Sequence, residues 1–529
     1  MLLSLITFLP VVFALMIWFS GSNEKALKQM AIAFTLIEFA LSLLLFRYYD
    51  PSVATLQLVE QHTWVSQMGV SYFMGLDGIS FWLVILTTFL TPITLLGSWT
   101  AVKSKTKGFL VCMLLLETSM IGTFLAMDAI LFYVFFEVSL IPMYFLVGIW
   151  GGANRLYATM KFFIYTMFGS VFMLLAIIFM MFMAQSQLGF MSASLLDFYK
   201  LEIPFVAETF FSTQTLLFFA FSLAFAIKVP TFPFHTWLPD AHVQAPTPGS
   251  VILAGVMLKM GTYGFLRFVI PMFPQATEHW AWVLLALAVV GIIYGALVAM
   301  VQTDMKKLVA YSSVSHMGYV LLGLFALNTL GITGAIYQML NHGISTGALF
   351  LLVGMVYERT HTREISNYGG LAGYAPIFSI LFVIVTMSSI AVPMTNGFIG
   401  EFLILQGTFL AKKEFVFFAV TGVVLAAAYM LWMVKRVFFG KMGKVVQEFK
   451  DKNESLDINA REFAVMLPLI IMIFWMGLFP GTILKWSDTS VKHLVNNISK
   501  YELVIHKNSE ANKSLYSKND KLNIKEKIN

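Results

Sequence analysis

Residues Ser222–Gly261 read SLAFAIKVPTFPFHTWLPDAHVQAPTPGSVILAGVMLKMG, and this stretch decides the fold of the chain. It starts as an apolar helix, reaches Lys228, meets Pro230 two residues later, and continues into a second apolar helix that carries Lys259. A charge at membrane depth costs roughly 2.5–3.5 kcal/mol on insertion scales, and a proline inside a helix removes a backbone donor. Broken backbone is tolerated there only where protein or a water-filled cavity satisfies it. The stretch therefore favours an ion pathway through a membrane over a kinked helix whose lysines reach the surface.

The composition places the whole chain in a membrane. Of the 529 residues, 59% are hydrophobic and 12% are charged, and the mean hydropathy is +0.80. No soluble domain has this balance, so we expect a polytopic membrane protein. The single cysteine, Cys112, excludes an intrachain disulfide, an iron–sulfur cluster and a cysteine-type zinc site. The first apolar run lacks a basic segment and is expected to be a retained helix rather than a cleaved signal.

The chain contains about fourteen apolar runs that are long enough to span a bilayer, at roughly 20 residues per helix. They lie near residues 2–20, 27–47, 77–99, 108–126, 129–149, 160–184, 214–244, 247–270, 280–301, 307–326, 331–356, 375–410, 414–438 and 463–482. Runs 214–244 and 375–410 are too long, or too interrupted, for one straight helix. We therefore predict an all-α polytopic membrane protein with two discontinuous helices.

The two broken runs suggest an internal repeat. The first contains Lys228 and Pro230, and the second contains Pro393 followed by Glu401. Paired interruptions in corresponding halves are typical of inverted-repeat transporters, and these two are about five spans apart. We predict two inverted five-helix repeats. The predicted domains are the N-terminal helices 1–3 (1–106), the first repeat (107–272), the second repeat (273–440), a cytoplasmic loop with the last helix (441–485) and a polar, disordered tail (486–529).

The loop charges predict the orientation. Most loop lysines and arginines lie in the odd-numbered connections, such as Lys103, Lys105 and Lys107 in the third. Cytoplasmic loops carry this excess, so the odd connections are expected in the cytoplasm. Both termini would then face the periplasm of a bacterial inner membrane. The net charge of +6 is accounted for by loops and tail, which argues for membrane topology rather than nucleic-acid binding.

Six ionisable side chains inside the predicted spans are candidates for proton transfer. They are Glu137, Lys228, Lys259, His316, His342 and Glu401. Desolvation makes a lysine release its proton more readily, and a nearby carboxylate opposes this, so Glu137 and Lys228 are predicted to act as a pair. Histidine titrates near neutral pH without much tuning. Lysine, histidine and glutamate joined by water are what a proton pathway across the membrane requires.

Structural roles remain open for several of these groups. Glu137 could belong to a structural ion pair, and His316 and His342 could only join neighbouring helices by hydrogen bonds. Five further groups are interpreted as loop, interface or local structural residues: His235, His242, Asp240, Asp77 and Glu117. The pair His316 and His342 also permits a haem-binding electron carrier, although the buried lysines and glutamates would then be unexplained costs.

Four motifs resemble the antiporter-like, proton-pumping subunits of respiratory complex I, the NADH-quinone oxidoreductase of bacteria. The motifs are FYVFFEVSLIPMYFLVGIWGG, KVPTFPFHTWLPDAHVQAPTPGSVILAGVMLKMGTYGFLR, MKKLVAYSSVSHMGY and VPMTNGFIGEFLIL. The resemblance covers roughly residues 70 to 480. Glu401 in the second broken helix, where sister subunits tend to have lysine, favours the subunit M type, the counterpart of mitochondrial subunit 4. The same wider family contains subunits of multisubunit sodium/proton antiporters, which remain an alternative.

The resemblance implies fourteen helices, two inverted repeats and a proton-translocating subunit of an NADH:quinone reductase. It implies that Glu137, Lys228, Lys259 and Glu401 match the key charged residues, with His316 and His342 on the connecting polar axis. No cofactor is expected in this chain, and NAD, FMN, iron–sulfur clusters and quinone would belong to partner subunits. The expected partners are the other membrane subunits of complex I, above all neighbouring antiporter-like subunits, and the lipid bilayer.

Overall fold

The computed structural model describes residues 1–498 and is built almost entirely of helices. The helices are α1 (Leu2–Phe19), α2 (Glu24–Ser42), α3 (Leu45–Tyr48), α4 (Phe81–Gly97), α5 (Thr106–Leu125), α6 (Ala129–Val138), α7 (Leu140–Trp150), α8 (Arg155–Leu188), α9 (Leu195–Phe198), α10 (Thr213–Lys228), α11 (Trp237–Gln244), α12 (Thr247–Ile252), α13 (Leu258–Gly264), α14 (Ile270–Met272), α15 (Pro274–Met300), α16 (Met305–Leu324), α17 (Thr329–Thr360), α18 (Pro376–Ser389), α19 (Asn396–Ala411), α20 (Lys413–Phe438), α21 (Lys444–Asp451), α22 (Ala460–Leu478) and α23 (Gly481–Leu484).

Within residues 1–498, ten helical stretches are long and apolar enough to cross a membrane. Three shorter apolar helices, α4, α10 and α18, accompany them. In two of the ten stretches an apolar window of 18 residues is completely buried by the other helices, namely in α17 and in the continuous run 247–272 that contains α12, α13 and α14. A transmembrane helix that is buried all round contacts protein rather than lipid, so its polar side chains face other helices. These two buried stretches carry Lys259 and His342.

A β-hairpin corrects the all-α prediction. Strands β1 (Gln57–Val65) and β2 (Val70–Leu76) pair antiparallel between α3 and α4. The alternation of β-branched and aromatic residues in this segment favours strands, and Gly69 adopts a left-handed conformation, with φ of 64°, at the turn. The hairpin also shortens a predicted span, because the run expected at 77–99 begins its helix only at Phe81.

The first predicted break is present. Helix α10 ends at Lys228, and α11 begins only at Trp237. The indole Nε1 of Trp237 donates to the carbonyl of Ile227 at 2.9 Å, and the amide of Thr231 donates to the carbonyl of Ala226 at 2.8 Å. Side-chain and turn donors thus satisfy carbonyls that the interrupted helix leaves free.

The second predicted break is also present. Helix α18 ends at Ser389 and α19 begins at Asn396. The hydroxyl of Ser388 donates to Oδ1 of Asn396 at 2.5 Å, and the hydroxyl of Thr395 donates to the carbonyl of Val392 at 2.6 Å. The break is therefore lined by polar side chains that face each other inside the protein.

Two further segments differ from the sequence-based expectations. The predicted span 129–149 is divided at Ser139 into α6 and α7. In the segment 486–529, which we expected to be disordered, residues 488–498 are helical and Val491 is fully buried. Apolar residues at helical spacing, including Val491 and Leu494, give this part a face that packs on the core. Residues 499–529 of that predicted tail lie outside the described residues.

Candidate functional site

Lys259 and His342 meet where the run 247–272 packs against α17. The Nζ atom of Lys259 lies 2.6 Å from Nδ1 of His342 and donates to the carbonyl of Ala254 at 2.5 Å. Ala254 belongs to a π-helical turn, Leu253–Met257, that directly precedes α13. Such turns interrupt the regular α-helical ladder and are frequent at functional sites. Lys259 is therefore held at the centre of the bundle by one carbonyl and one imidazole.

His316 continues the contact from His342 to Glu401. The rings of His316 and His342 have centroids 5.9 Å apart. Nδ1 of His316 lies 3.3 Å from Oε1 of Glu401, and the side-chain amide of Gln338 donates to the same oxygen at 3.1 Å. These side chains are all buried. Four of the six predicted groups thus form one series of neighbours, Lys259–His342–His316–Glu401.

Polar side chains from the second break surround this series. The hydroxyl of Ser389 lies 3.4 Å from Nε2 of His316, and the hydroxyls of Ser345 and Ser388 lie 2.6 Å apart. A small cavity of ≈ 10 Å³ lies between His316, His342 and these serines. That volume is close to the space that one water molecule needs, and the lining offers several hydrogen-bonding groups. Because α18 ends at Ser389, serine hydroxyls lie beside the gap that separates the His316 ring from the His342 ring.

Glu137 and Lys228 form a second group. The ammonium of Lys228 donates to the hydroxyl of Ser139 at 3.4 Å and lies 4.6 Å from the centroid of the Phe136 ring. Glu137 and Lys228 interact electrostatically, but they do not form a direct ion pair, and Oε1 of Glu137 is buried with no hydrogen-bond partner. The predicted pair is therefore a through-space interaction, and Ser139 at the junction of α6 and α7 is the group that contacts the lysine.

The group of Glu137 and Lys228 comes closest to the series that begins at Lys259 where α10 packs on α13, at Gly261. A side chain at this position would come within 3.1 Å of Cβ of Lys228 and 2.9 Å of the carbonyl of Phe225. The absence of a side chain lets α10 approach α13 closely, two residues from Lys259. The structure thus places Lys228 and Lys259 on directly packed helices. The ammonium groups of these two lysines, both in the described part of the chain, are not hydrogen-bonded to each other: Lys228 contacts Ser139, and Lys259 contacts Ala254 and His342.

Sequence reasoning missed several polar residues near these groups. Lys306 was counted as a loop charge, but it is buried and donates to the carbonyl of Ala245 at 2.5 Å. His242 was interpreted as a loop or interface residue, but it is fully buried, stacks on Phe350 at 4.6 Å, and has neither ring nitrogen hydrogen-bonded. Lys306 stands directly before an apolar run, and this position was the signal in the sequence that could have indicated its burial.

Asp77 was expected to be structural, and the structure agrees. Its carboxylate binds Arg267 through two hydrogen bonds of 2.7 and 2.8 Å. Arg267 also contacts the hydroxyl of Tyr263 at 3.1 Å. A bidentate pair of this kind fixes the relative position of the hairpin end and the buried run 247–272. Arg267 was the partner that the sequence did not reveal.

The geometry disfavours the haem alternative. A haem held between His316 and His342 would have to fit between rings whose centroids are only 5.9 Å apart. The space beside the two rings is a cavity of only ≈ 10 Å³, and a haem macrocycle is far larger. The arrangement fits groups that exchange protons with one another.

Known protein families and named relatives match this chain over most of its length. The family described as NADH:quinone oxidoreductase/Mrp antiporter, transmembrane, matches residues 126–426, and the family described as NADH-ubiquinone oxidoreductase chain 4, amino terminus, matches residues 2–123. NADH-quinone oxidoreductase subunit M of Rhodobacter capsulatus is 47% identical over 507 residues, which cover 94% of this chain and 96% of the relative. NADH-ubiquinone oxidoreductase chain 4 of Marchantia polymorpha is 43% identical over 479 residues, which cover 90% and 93%.

Solved structures share the fold. A chain of respiratory complex I from Thermus thermophilus with bound NADH superimposes with a TM-score of 0.84 at 31% identity, covering 94% of this chain and 100% of that one. A chain of the Mrp complex from Dietzia sp. DQ12-45-1b superimposes with a TM-score of 0.79 at 20% identity, covering 94% and 99%, and shows likeness of fold alone. Together with two discontinuous helices and a buried series of lysine, histidine and glutamate, these matches establish that the chain belongs to the subunit M/chain 4 family of NADH:quinone oxidoreductase.

Proposed function

We propose that this chain is the proton-translocating membrane subunit of an NADH:quinone oxidoreductase and that protons cross its centre along Lys259, His342, His316 and Glu401. The observation that carries the proposal is the series of buried neighbours between Lys259 and Glu401. Quinone reduction elsewhere in the complex would supply the free energy. This series is called the central axis below.

Each neighbour on the central axis can pass a proton to the next. The ammonium of Lys259 faces the imidazole of His342, so one proton can be held by either nitrogen. The cavity between His342 and His316 has room for one water molecule to bridge the rings. Glu401 accepts a hydrogen bond from Gln338 and faces His316, so a carboxylate there can receive the proton.

Glu137 and Lys228 would set the field at the start of the axis. The carboxylate interacts with the ammonium through space rather than by direct contact. A charge outside a direct ion pair can respond to a change of charge in a neighbouring subunit, because no short-range bond has to break first. We propose that protons are taken up from the cytoplasm near Lys228 and leave on the opposite side beyond Glu401.

The finer architecture belongs to the same proposal. The helices support fourteen spans if α6 with α7, α10 with α11, the run 247–272, and α18 with α19 each count as one span. The two breaks lie at equivalent places in two inverted five-helix repeats, 107–272 and 273–440. Both termini would face the periplasm of a bacterial inner membrane, as the basic residues of the odd connections indicate.

The redox chemistry would lie in partner subunits. Residues 1–498 contain no group of three or more His, Cys, Asp or Glu side chains arranged to hold a metal ion. We propose that NAD, FMN, iron–sulfur clusters and quinone are bound by other subunits of complex I. Exposed apolar side chains such as Phe182 and Phe417 fit contacts with lipid and with neighbouring antiporter-like subunits.

The test is transport by the purified complex in sealed vesicles. We expect His316→Asn to leave the complex assembled and to reduce proton uptake per NADH oxidised, because asparagine cannot relay a proton between His342 and Glu401. The matched control is His361→Asn, since His361 is exposed at the end of α17. Normal pumping by His316→Asn would rule out the central axis. Uptake that follows sodium rather than protons would favour the antiporter alternative.

A further inference from the structure

Two carboxyl groups lie buried together away from the central axis. Glu38 on α2 and Glu117 on α5 each have 0% exposure. Their helices pack on each other and on α4. All four carboxyl oxygens lack a hydrogen-bond partner. Ser42, one turn after Glu38, shares a hydrogen bond with Thr88 of α4, and Thr91, one turn further along α4, lies beside Glu117, so the two carboxyl groups face the same part of α4. Neither the sequence reasoning nor the proton path uses this pair.

Within residues 1–498, no basic side chain is hydrogen-bonded to Glu38 or Glu117. Helices α1 and α4 contain no ionisable residue, and α7 contributes only Tyr144. Lys28, on α2, lies ten residues before Glu38, which is about 15 Å along a helix, and it donates to the carbonyls of Trp99 and Val102. Lys107, on α5, lies ten residues before Glu117 and donates to the carbonyls of Trp18 and Ser20.

The remaining neighbours of α5 do not supply a counter-charge either. Helix α6 contributes Glu137, which interacts with Lys228, and α13 contributes Lys259, which is held by Ala254 and His342. Cys112 is the other ionisable group on α5. Two carboxylates in such surroundings cannot both be ionised, because like charges repel strongly where water does not screen them.

We propose that Glu38 and Glu117 form a proton-binding site in which one proton is held between the two carboxyl groups. The proton supplies the hydrogen-bond donor that the four oxygens otherwise lack, and it leaves one charge shared by the pair. A metal cation fits less well, because no third His, Cys, Asp or Glu of residues 1–498 joins them to make a ligand set.

Helix α4 separates this site from the central axis. Thr91 of α4 lies beside Glu117, and its hydroxyl donates to the carbonyl of Thr87 at 2.9 Å. From the same helix, Leu86 packs against Gly343 and Leu90 against Gly255, next to His342 and Ala254 respectively. The carboxyl pair and the axis therefore contact the same helix without sharing a side chain, and the pair is a second proton-binding site rather than a step of the path.

Infrared spectroscopy of the intact complex in lipid tests the proposal. We compare the parent with Glu38→Gln/Glu117→Gln in H2O and D2O, because a protonated carboxylic acid has a C=O stretching band that shifts on deuteration. The double variant should lose one such band. It should assemble normally, since glutamine has the shape of a protonated glutamate, and its pumping rate should stay within about twofold of the parent because the pair lies off the axis.

Two controls keep the outcome unambiguous. Glu414→Gln replaces an exposed carboxylate and should leave the protonated-acid band unchanged. The single variant Glu117→Gln should also remove the shared-proton signature if the double variant assembles poorly. An unchanged band in the assembled variants would overturn the proposal, and so would a pair whose carboxylate bands shift with sodium concentration, because a bound cation would then replace the proton.

Discussion

Lys259 and His342 are 83 residues apart in the chain, yet Nζ of the lysine lies 2.6 Å from Nδ1 of the histidine. At this separation a hydrogen lies between the two nitrogens, so the pair cannot carry two positive charges without strong repulsion. One extra proton on the pair therefore has two nearly adjacent positions. This relationship makes the contact the most sensitive point of the central axis.

The first prediction follows from that contact. In His342→Gln the amide oxygen can still accept from Lys259, but the side chain cannot take up and release a proton. We expect assembly to be normal and proton pumping to fall by roughly a hundredfold or more, within the range that a general acid–base group contributes. Proton uptake in vesicles measures the effect. Pumping at the parent's rate in His342→Gln would show that protons bypass this residue.

The second prediction concerns the far end of the axis. Glu401 lies between His316 and the amide of Gln338. Glu401→Gln keeps the hydrogen bonds but removes the titratable group, so we expect pumping and coupled quinone reduction to be nearly abolished. In Glu401→Lys the amide of Gln338 can turn its oxygen toward the ammonium, and a measurable part of both activities should remain.

The comparison for Glu401 is made on complexes that native gels show to be assembled. Glu448→Gln is the matched control, because Glu448 is exposed on α21. If Glu401→Gln pumps normally, its carboxylate serves structure, and the outward end of the path lies elsewhere.

The third prediction concerns Glu137. Its carboxylate acts on Lys228 through space, and Ser139 contacts the lysine directly. Glu137→Gln should reduce pumping severely, because it removes the charge that acts on Lys228 through space. Glu137→Asp should retain more activity, since it keeps the charge. Ser139→Ala should have a smaller effect than Glu137→Gln, and equal rates for all three variants would contradict an electrostatic role.

Much of the site could be predicted from the sequence, because charge inside an apolar run is costly and therefore conspicuous. Lys228, Lys259 and Glu401 stood out in this way, and the prolines located both breaks. Pairings could not be predicted, because Gln338, Ser139 and Arg267 are ordinary residues until folding places them beside a charge. The hairpin was missed because the search followed runs of helical length, and nine-residue strands such as Gln57–Val65 are shorter than that.

The fourth prediction concerns the packing of α10 on α13. A methyl group at Gly261 would meet Cγ2 of Val229 at 2.7 Å, the carbonyl of Phe225 at 2.9 Å and Cβ of Lys228 at 3.1 Å. We expect Gly261→Ala to cost about 1–3 kcal/mol through overpacking. The expected result is less assembled complex on native gels and a lower melting temperature. Gly373→Ala is the control, because nothing lies within 4 Å of its added carbon; equal loss in both would dismiss the packing argument.

The fifth prediction concerns pH at the hairpin. Burial by itself raises the pKa of Glu60, but hydrogen bonds from residues 1 to 4 outweigh it and hold the pKa below its ordinary value of 4.5. The amides of Leu3 and Ser4 donate to the carboxylate at 2.8 and 3.2 Å. The stabilisation is present above pH 4.5 and is lost as the pH falls through the lowered pKa.

Hydrogen exchange of the Leu3 and Ser4 amides checks this expectation. After correction for the intrinsic rate, protection should be constant near neutral pH and should decrease only below about pH 4.5. Glu60→Gln should show weaker protection with little dependence on pH. Protection that decreases already between pH 7 and 6 would assign the effect to another group.

The π-helical turns on either side of α13, Leu253–Met257 and Phe265–Val269, make the effect of a deletion depend on where it falls. A π turn holds one residue more than an α turn, and each residue advances an α-helix by about 100°. Deleting a single residue from Leu253–Met257 would therefore leave a regular α-helix in which Lys259 keeps nearly the same orientation toward His342. Deleting a residue from the α-helical segment Thr247–Ile252 would instead rotate Lys259 by about 100°. Single-residue gaps in this buried run should therefore fall in the π turns rather than in the α-helical segments.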